Sequence, residues 1–238
     1  MSRSIRVIGM GVGDPRQLTV EAIDALRSVD YLVVDAMDAD APLGVLLETS
    51  LAHHVGTVPP VVEVGGLETL DARAEAYEKV LLDRDGDVGF LVWGEPAFHD
   101  PTIRAVEAML ARGAVAAEWD VLPGISSVQV LAARHRIALQ DVGTPLLVTT
   151  GALLHEARDA GAENILVVLS STVDLEGFDD WDIWWAANLG TADERLVSGR
   201  VVEVAIDVLA ARIDVRTRAG WVVDVYLLRK RPAFTAPS

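Results

Sequence analysis

The chain has no cysteine and only two lysines, Lys79 and Lys230. The first absence excludes disulfides, thiolate nucleophiles and cysteine-ligated zinc. The second stands against 36 acidic residues and a formal net charge of −16. A nucleic-acid surface needs a basic excess to neutralise phosphates, so that class of partner is not expected. Long apolar runs are also missing: Asp, Glu, Arg or Gly interrupts each one before it reaches the roughly 20 residues of a membrane span. The opening "MSRSIRVIGMGVG" runs directly into a strand pattern without a signal-peptide core, which points to the cytoplasm. No Ser-His-Asp or HExxH arrangement stands out, and no metal site is expected.

What remains is a chain of 238 residues, 51% of them hydrophobic, in which strand-like and helix-like segments alternate. That is the pattern of an α/β protein. "SIRVIGMG" (4–11), "YLVVDA" (31–36) and "DVGFLVW" (87–93) are short and continuously apolar, as strands buried on both faces are. Between them, 18–30 reads as a helix capped by Thr19 with Val20, Ile23, Leu26 and Val29 on one face, and 68–85 as another. Residues 37–66 read as irregular. A helix over 102–113 ends at Gly113, which suits a left-handed cap. The second half offers a helix (127–139), strands (144–150, 164–170, 181–190), a helix (200–214) and a closing strand (220–230). Alternation in that last strand suggests a half-exposed antiparallel element. The divide between halves falls near residue 120, giving domains 1–120 and 121–238.

Several turns carry chemistry-bearing residues. In "GMGVGDP", Gly9, Gly11 and Gly13 follow the first strand, but the spacing is not the GxGxxG of a dinucleotide site. Asp14 there would repel a phosphate. "WGEPAFHD" leaves a buried strand through Gly94, which allows close approach of a ligand, and Pro96, which stiffens the turn. "LPGISS" turns through Pro123 and Gly124 into a helix starting with Ser126 and Ser127, whose hydroxyls cap a helix or bind polar ligand groups. Arg104, the "RHR" of 134–136 and the terminal "LLRKRP" offer guanidinium groups for carboxylates, or simply solvated faces.

Taken in order, "RVIGMGVGDPRQLTVEAIDAL", "VWGEPAFHDPTIR", "VLPGISSVQVLAARHRIAL", "GTPLLVTTG", "NLGTADERLVSGR" and "GWVVDVYLLRKRP" resemble the tetrapyrrole (corrin/porphyrin) methylases. Within that family the series looks most like the branch that methylates C-1 of precorrin-5 and releases acetate during cobalamin synthesis. The resemblance implies a two-domain class III methyltransferase fold with the active-site cleft between domains, a homodimer, and S-adenosylmethionine (SAM) as methyl donor. Carried over by motif, the SAM contacts are Trp93, Gly94, Glu95 and Phe98, then Ser126 and Ser127, with Leu169 and Ala187 completing the set. Gly11, Gly13, Asp14 and Arg104 would border the substrate. Asp100, His99 and His135 are the candidates for moving protons during deacylation, although Asp100 equally suits a helix cap.

The sequence departs from the family at informative places. Gly94-Glu95-Pro96 stands where the family has Gly-Asp-Pro. "DAMDADAPL" replaces a basic stretch, and Ala152-Leu153-Leu154 replaces paired arginines. Corrinoid precursors carry many carboxylates, so lost basic groups bear on the substrate. Three readings follow: a precorrin methylase, a paralogue acting on a smaller and less anionic acceptor, and a non-catalytic SAM-binding protein.

Overall fold

The structure, a computed structural model, describes residues 3–35, 51–54, 56–65 and 68–231. The "DAMDADAPL" segment and most of the stretch read as irregular lie outside the described residues. Two compact units emerge, Met1–Ser126 and Ser127–Ser238.

The N-terminal unit is a five-stranded parallel sheet. β1 (Arg3–Gly9), β2 (Tyr31–Asp35), β3 (Val61–Val64), β4 (Val88–Val92) and β5 (Ala117–Leu122) lie in the order β3-β2-β4-β1-β5. The continuous apolar runs have a simple cause: alternate residues feed two separate cores. Val7, Val33 and Phe90 join one cluster, while Ile8, Leu32 and Leu91 join the other. α1 (Val20–Ser28) packs on the second cluster; α2 (Leu70–Asp83) and α3 (Thr102–Ala111) pack on the first. Thr19 caps α1 as expected, its hydroxyl accepting the Ala22 N–H at 3.1 Å. The inward face is shifted from the expected one: Leu26 and Val29 are buried as expected, but Val20 is 75% exposed and Ala22 and Ala25 are buried beside them. Gly113 adopts φ +78, the left-handed conformation expected beyond α3.

β3 and β5 were not anticipated. β3 occupies part of the supposedly irregular stretch and pairs with β2 at one edge of the sheet. β5 spans the expected domain divide at 120; its pairing with β1, from Arg3↔Ala117 to Ile8↔Leu122, puts the divide after Ser126.

The C-terminal unit is a mixed five-stranded sheet. β6 (Leu147–Thr150), β7 (Asn164–Val168), β8 (Trp181–Ala187), β9 (Arg195–Arg200) and β10 (Asp224–Lys230) are ordered β6-β7-β10-β8-β9. Only β6 and β7 pair in parallel. β9 is the third strand not read from the sequence. Its helices are α4 (Ser127–His135), α5 (Leu154–Asp159) and α6 (Val201–Ala219). α4 stops four residues before the expected 139, because Arg136 takes φ +57. The Ile137 and Arg136 amides then donate to the Ala132 and Ala133 carbonyls at 3.0 and 3.3 Å, a Schellman ending built on a non-glycine residue.

β10 is antiparallel, but it is not half-exposed: Asp224 to Leu228 are all buried in the centre of the sheet. One carboxylate oxygen of its polar member is paired internally, while Oδ1 is buried without a hydrogen-bond partner. The Arg212 Nε donates to Asp224 Oδ2 at 2.7 Å, and the Trp185 indole N–H reaches the same oxygen at 3.3 Å. Burial pushes the Asp224 carboxyl above its ordinary value, against the opposing pull of Arg212.

Candidate active site

In the N-terminal unit three turns, each leaving the carboxyl end of a strand, meet at their glycines. The end of β1 and the turn after β4 pair main chain to main chain: Gly94 N–H donates to Gly11 O at 2.8 Å and Gly11 N–H to Gly94 O at 3.2 Å. The turn after β5 closes the group. A Cβ built on Gly124 would stand 2.9 Å from both Cα and C of Gly9, and one on Gly9 would stand 2.7 Å from Gly124 Cα. Neither position has room for a side chain. In parallel α/β sheets this carboxyl edge is where ligands bind.

Glu95 fastens the joint. Its Oε1 accepts the Ala97 N–H at 2.9 Å and its Oε2 accepts the Gly124 N–H at 2.7 Å. The Glu95 side chain thus bridges two loops.

Gly94 has φ +72, and a Cβ there would lie 3.9 Å from Val12 Cγ1 and 4.0 Å from Ser126 Cα. Its amide and carbonyl are engaged with Gly11, so its particular offer to a ligand is the bare surface left by the missing side chain. Trp93 is half-buried against the α1 cluster, and Ser126 is buried. Phe98 meets His99 edge to face, ring centroids 4.8 Å apart. Asp14 caps the short turn Pro15–Gln17 by accepting the Arg16 N–H at 3.0 Å, and the Arg16 guanidinium grips its carboxylate at 2.6 Å. Gly13, with φ +125, makes the bend before it.

Beside these turns, still within the N-terminal unit, lies a cavity of about 680 Å³ between the starts of α2 and α3. His99, Asp100 and Arg104 line it together; Arg73 and Glu68 from α2 and its approach do so as well. His99 is exposed with φ +59, an uncommon backbone for a non-glycine residue. Asp100 caps α3, its Oδ1 accepting the Thr102 N–H at 2.7 Å. Arg73 was not anticipated. It forms an ion pair with Asp35 at the end of β2, and the Tyr77 hydroxyl donates to the same carboxylate at 2.8 Å.

The remaining predicted residues belong to the C-terminal unit. Ser127 begins α4. Leu169, directly after β7, is 61% exposed with φ +52. Ala187, the last residue of β8, is fully enclosed in the sheet's own core. The His135 ring nitrogen Nε2 donates to the Trp185 carbonyl at 3.0 Å, and burial lowers its pKa from the ordinary 6.5. Arg134 pairs with Glu194 at 2.8 Å, and Arg229 donates to the Ala138 and Leu139 carbonyls at 2.8 and 2.9 Å. Those arginines serve the fold.

Two α/β units, the first a parallel sheet with glycine turns gathered at its carboxyl edge, define a fold shared with known proteins. The tetrapyrrole (corrin/porphyrin) methylase profile matches residues 4–205, and the chain belongs to that family. It is 39% identical to a precorrin-6A synthase (deacetylating) from Sinorhizobium sp., over 98% of this chain and 97% of that one. Among solved structures, a cobalamin synthesis related protein (CobF) from Corynebacterium diphtheriae superposes with a TM-score of 0.87 at 33% identity, covering 97% of this chain and 99% of that one. A uroporphyrin-III C-methyl transferase from Thermus thermophilus, complexed with S-adenosyl homocysteine, shares the fold at a TM-score of 0.64 and 20% identity, over 95% and 92% of the two chains.

Proposed function

We propose that this chain is a precorrin-6A synthase of the deacetylating kind, a SAM-dependent enzyme that methylates C-1 of precorrin-5 and releases acetate in cobalamin biosynthesis. The observation that carries the reading is the end-to-end likeness to the Sinorhizobium enzyme, 39% identical over nearly the whole of both chains.

The residues of the N-terminal unit suit this donor. SAM has no phosphate, so Asp14 beside the glycine turns does no harm, and its charge is in any case held by Arg16. SAM supplies a methyl group on a cationic sulfur, and the methyl passes in line to an electron-rich ring carbon as that charge is lost. The protein's share is to position the two reactants and keep water out, which in favourable cases is worth about 7–11 kcal/mol. Trp93, Gly94, Glu95 and Phe98 shape the donor site, with Glu95 setting the spacing between its turns. Ser126, Ser127 and Leu169 add further contacts, and Gly11, Gly13 and Arg104 border the acceptor. His99, exposed on the rim of the cavity, is the proposed proton carrier for deacylation, with Asp100 beside it. The enzyme works in the cytoplasm as a homodimer. In support of the dimer, α6 exposes Val202, Ile206, Leu209 and Ile213 along one face; among the described residues no helix is long and apolar enough to cross a membrane.

Calorimetric titration with SAM, followed by incubation with SAM and precorrin-5, tests the reading. Binding and stoichiometric acetate are expected. Binding without acetate points to a different acceptor, and no heat at millimolar SAM refutes methyl transfer.

A further inference from the structure

The cavity between the starts of α2 and α3 has a composition that the donor site does not use. Its walls combine apolar surface from Leu70, Pro96 and Ile103 with two guanidinium groups, Arg73 and Arg104. They come from different helices that pack side by side on the same core. We propose that Arg73 and Arg104 form a clamp for one side-chain carboxylate of the tetrapyrrole acceptor, delivering the ring edge to His99 and Asp100. The proposal rests on the methylase reading and deepens it.

Arg73 is held for this role. Its side chain is 13% exposed and is fixed from below by the Asp35 carboxylate, itself steadied by the Tyr77 hydroxyl. Tyr77 in turn is buried against Phe90, with ring centroids 4.4 Å apart. A guanidinium anchored through a buried aromatic has little rotamer freedom left to lose when a ligand arrives. Arg104 is the complementary half. It is exposed, and it pairs with no carboxylate among the described residues.

Two carboxylates share the cavity wall, Glu68 and Asp100. Asp100 is engaged with the start of α3, and Glu68 is exposed to solvent on the approach to α2. Neither makes an ion pair with Arg104. Because the clamp presents two guanidinium groups, it selects acceptors bearing a carboxylate. An uncharged acceptor is not held.

Fluorescence titration with uroporphyrin III, an octacarboxylate tetrapyrrole, tests the clamp without requiring turnover. Arg104→Ala is expected to weaken binding about thirty-fold, equivalent to about 2 kcal/mol at 1.4 kcal/mol per decade. Arg104→Lys should recover part of the loss, since a point charge replaces a bidentate donor. Arg112→Ala, a control at the far end of α3 where the arginine pairs with Glu78 at 3.0 Å, should bind as wild type. Arg73→Met should add little to Arg104→Ala, because both hold one group; if that variant fails to fold, the Arg104 series decides alone. Equal affinity of wild type and Arg104→Ala, or no binding by wild type, overturns the clamp. SAM affinity is measured in parallel: intact SAM binding with an inert Arg104 rejects the clamp alone, whereas lost SAM binding by wild type rejects the methylase reading.

Discussion

Gly124→Ala attacks the joint where the three turns meet. The new Cβ would lie 2.9 Å from Gly9 Cα and C and closer still to the Gly94 carbonyl oxygen, where ordinary contact begins at 3.4 Å. Every obstructing atom is main chain, so no side chain can swing aside. The Gly94 carbonyl oxygen is the nearest obstruction, and clearing it requires the turns to part by more than about an ångström. Overpacking of this kind costs about 1–3 kcal/mol, and each kcal/mol lowers Tm by about 2–4 °C in a chain of this size. Parting the turns also stretches the Glu95 bridge and shifts the donor site. A displacement near 1 Å costs about a hundred-fold in a positioned site, so a loss of SAM affinity of that order is expected here. The comparison is Gly143→Ala. Gly143 has φ +85 but meets nothing within 4 Å, so its cost is left-handed strain alone, about 1–2 kcal/mol. Calorimetry with SAM and thermal unfolding on both variants separate the effects: similar losses of Tm, with weakened SAM binding only at 124. Wild-type SAM affinity in Gly124→Ala would refute the placement of the donor site at these turns.

Glu95→Ala leaves the Gly124 and Ala97 amides without their acceptor. A loss of about 1–3 kcal/mol in chemical unfolding is expected, with a smaller loss for Glu95→Gln, which retains one acceptor oxygen. Arg212→Met strips the counter-charge from buried Asp224 and should cost about 3–5 kcal/mol. The double variant with Asp224→Asn should recover part of that, and equal stability of the single and double variants would contradict an ion pair here. His135 sets a pH dependence. Its folded pKa lies below the ordinary 6.5, so the unfolded chain takes up a proton at pH values where the native protein does not. Its contribution is complete above about pH 6.5 and is lost as pH falls through that value toward the folded pKa. His135→Gln should flatten the fall in unfolding free energy across this window.

The three unanticipated strands, β3, β5 and β9, are all edge strands of their sheets. An edge strand is half solvated, so "VVEV", "AEWDVL" and "RLVSGR" mix polarity in ways that short-range pattern does not separate from loops. The central strands β1, β2, β4 and β7 were legible because burial on both faces demands unbroken apolar runs. β10 misled for the opposite reason. Asp224 looks like a solvent-facing residue until Arg212, on the preceding helix, is brought against it. At the site, each glycine turn was visible by itself; that Gly9, Gly94 and Gly124 press together follows only from the parallel order of β4, β1 and β5. Arg73 reads as an ordinary helix-face cation until the end of β2 places Asp35 beneath it.

The position of β10 has a consequence for biosynthesis. It is the last strand of its sheet to leave the ribosome, yet it lies between β7 and β8 and bonds to both. The N-terminal sheet has all five strands once residue 122 has emerged, so it can close during translation, whereas the second sheet stays split in two until residue 230 is free. Until then β7 and β8 present unpaired inner edges, the kind of surface that chaperones shield and that neighbouring nascent chains capture.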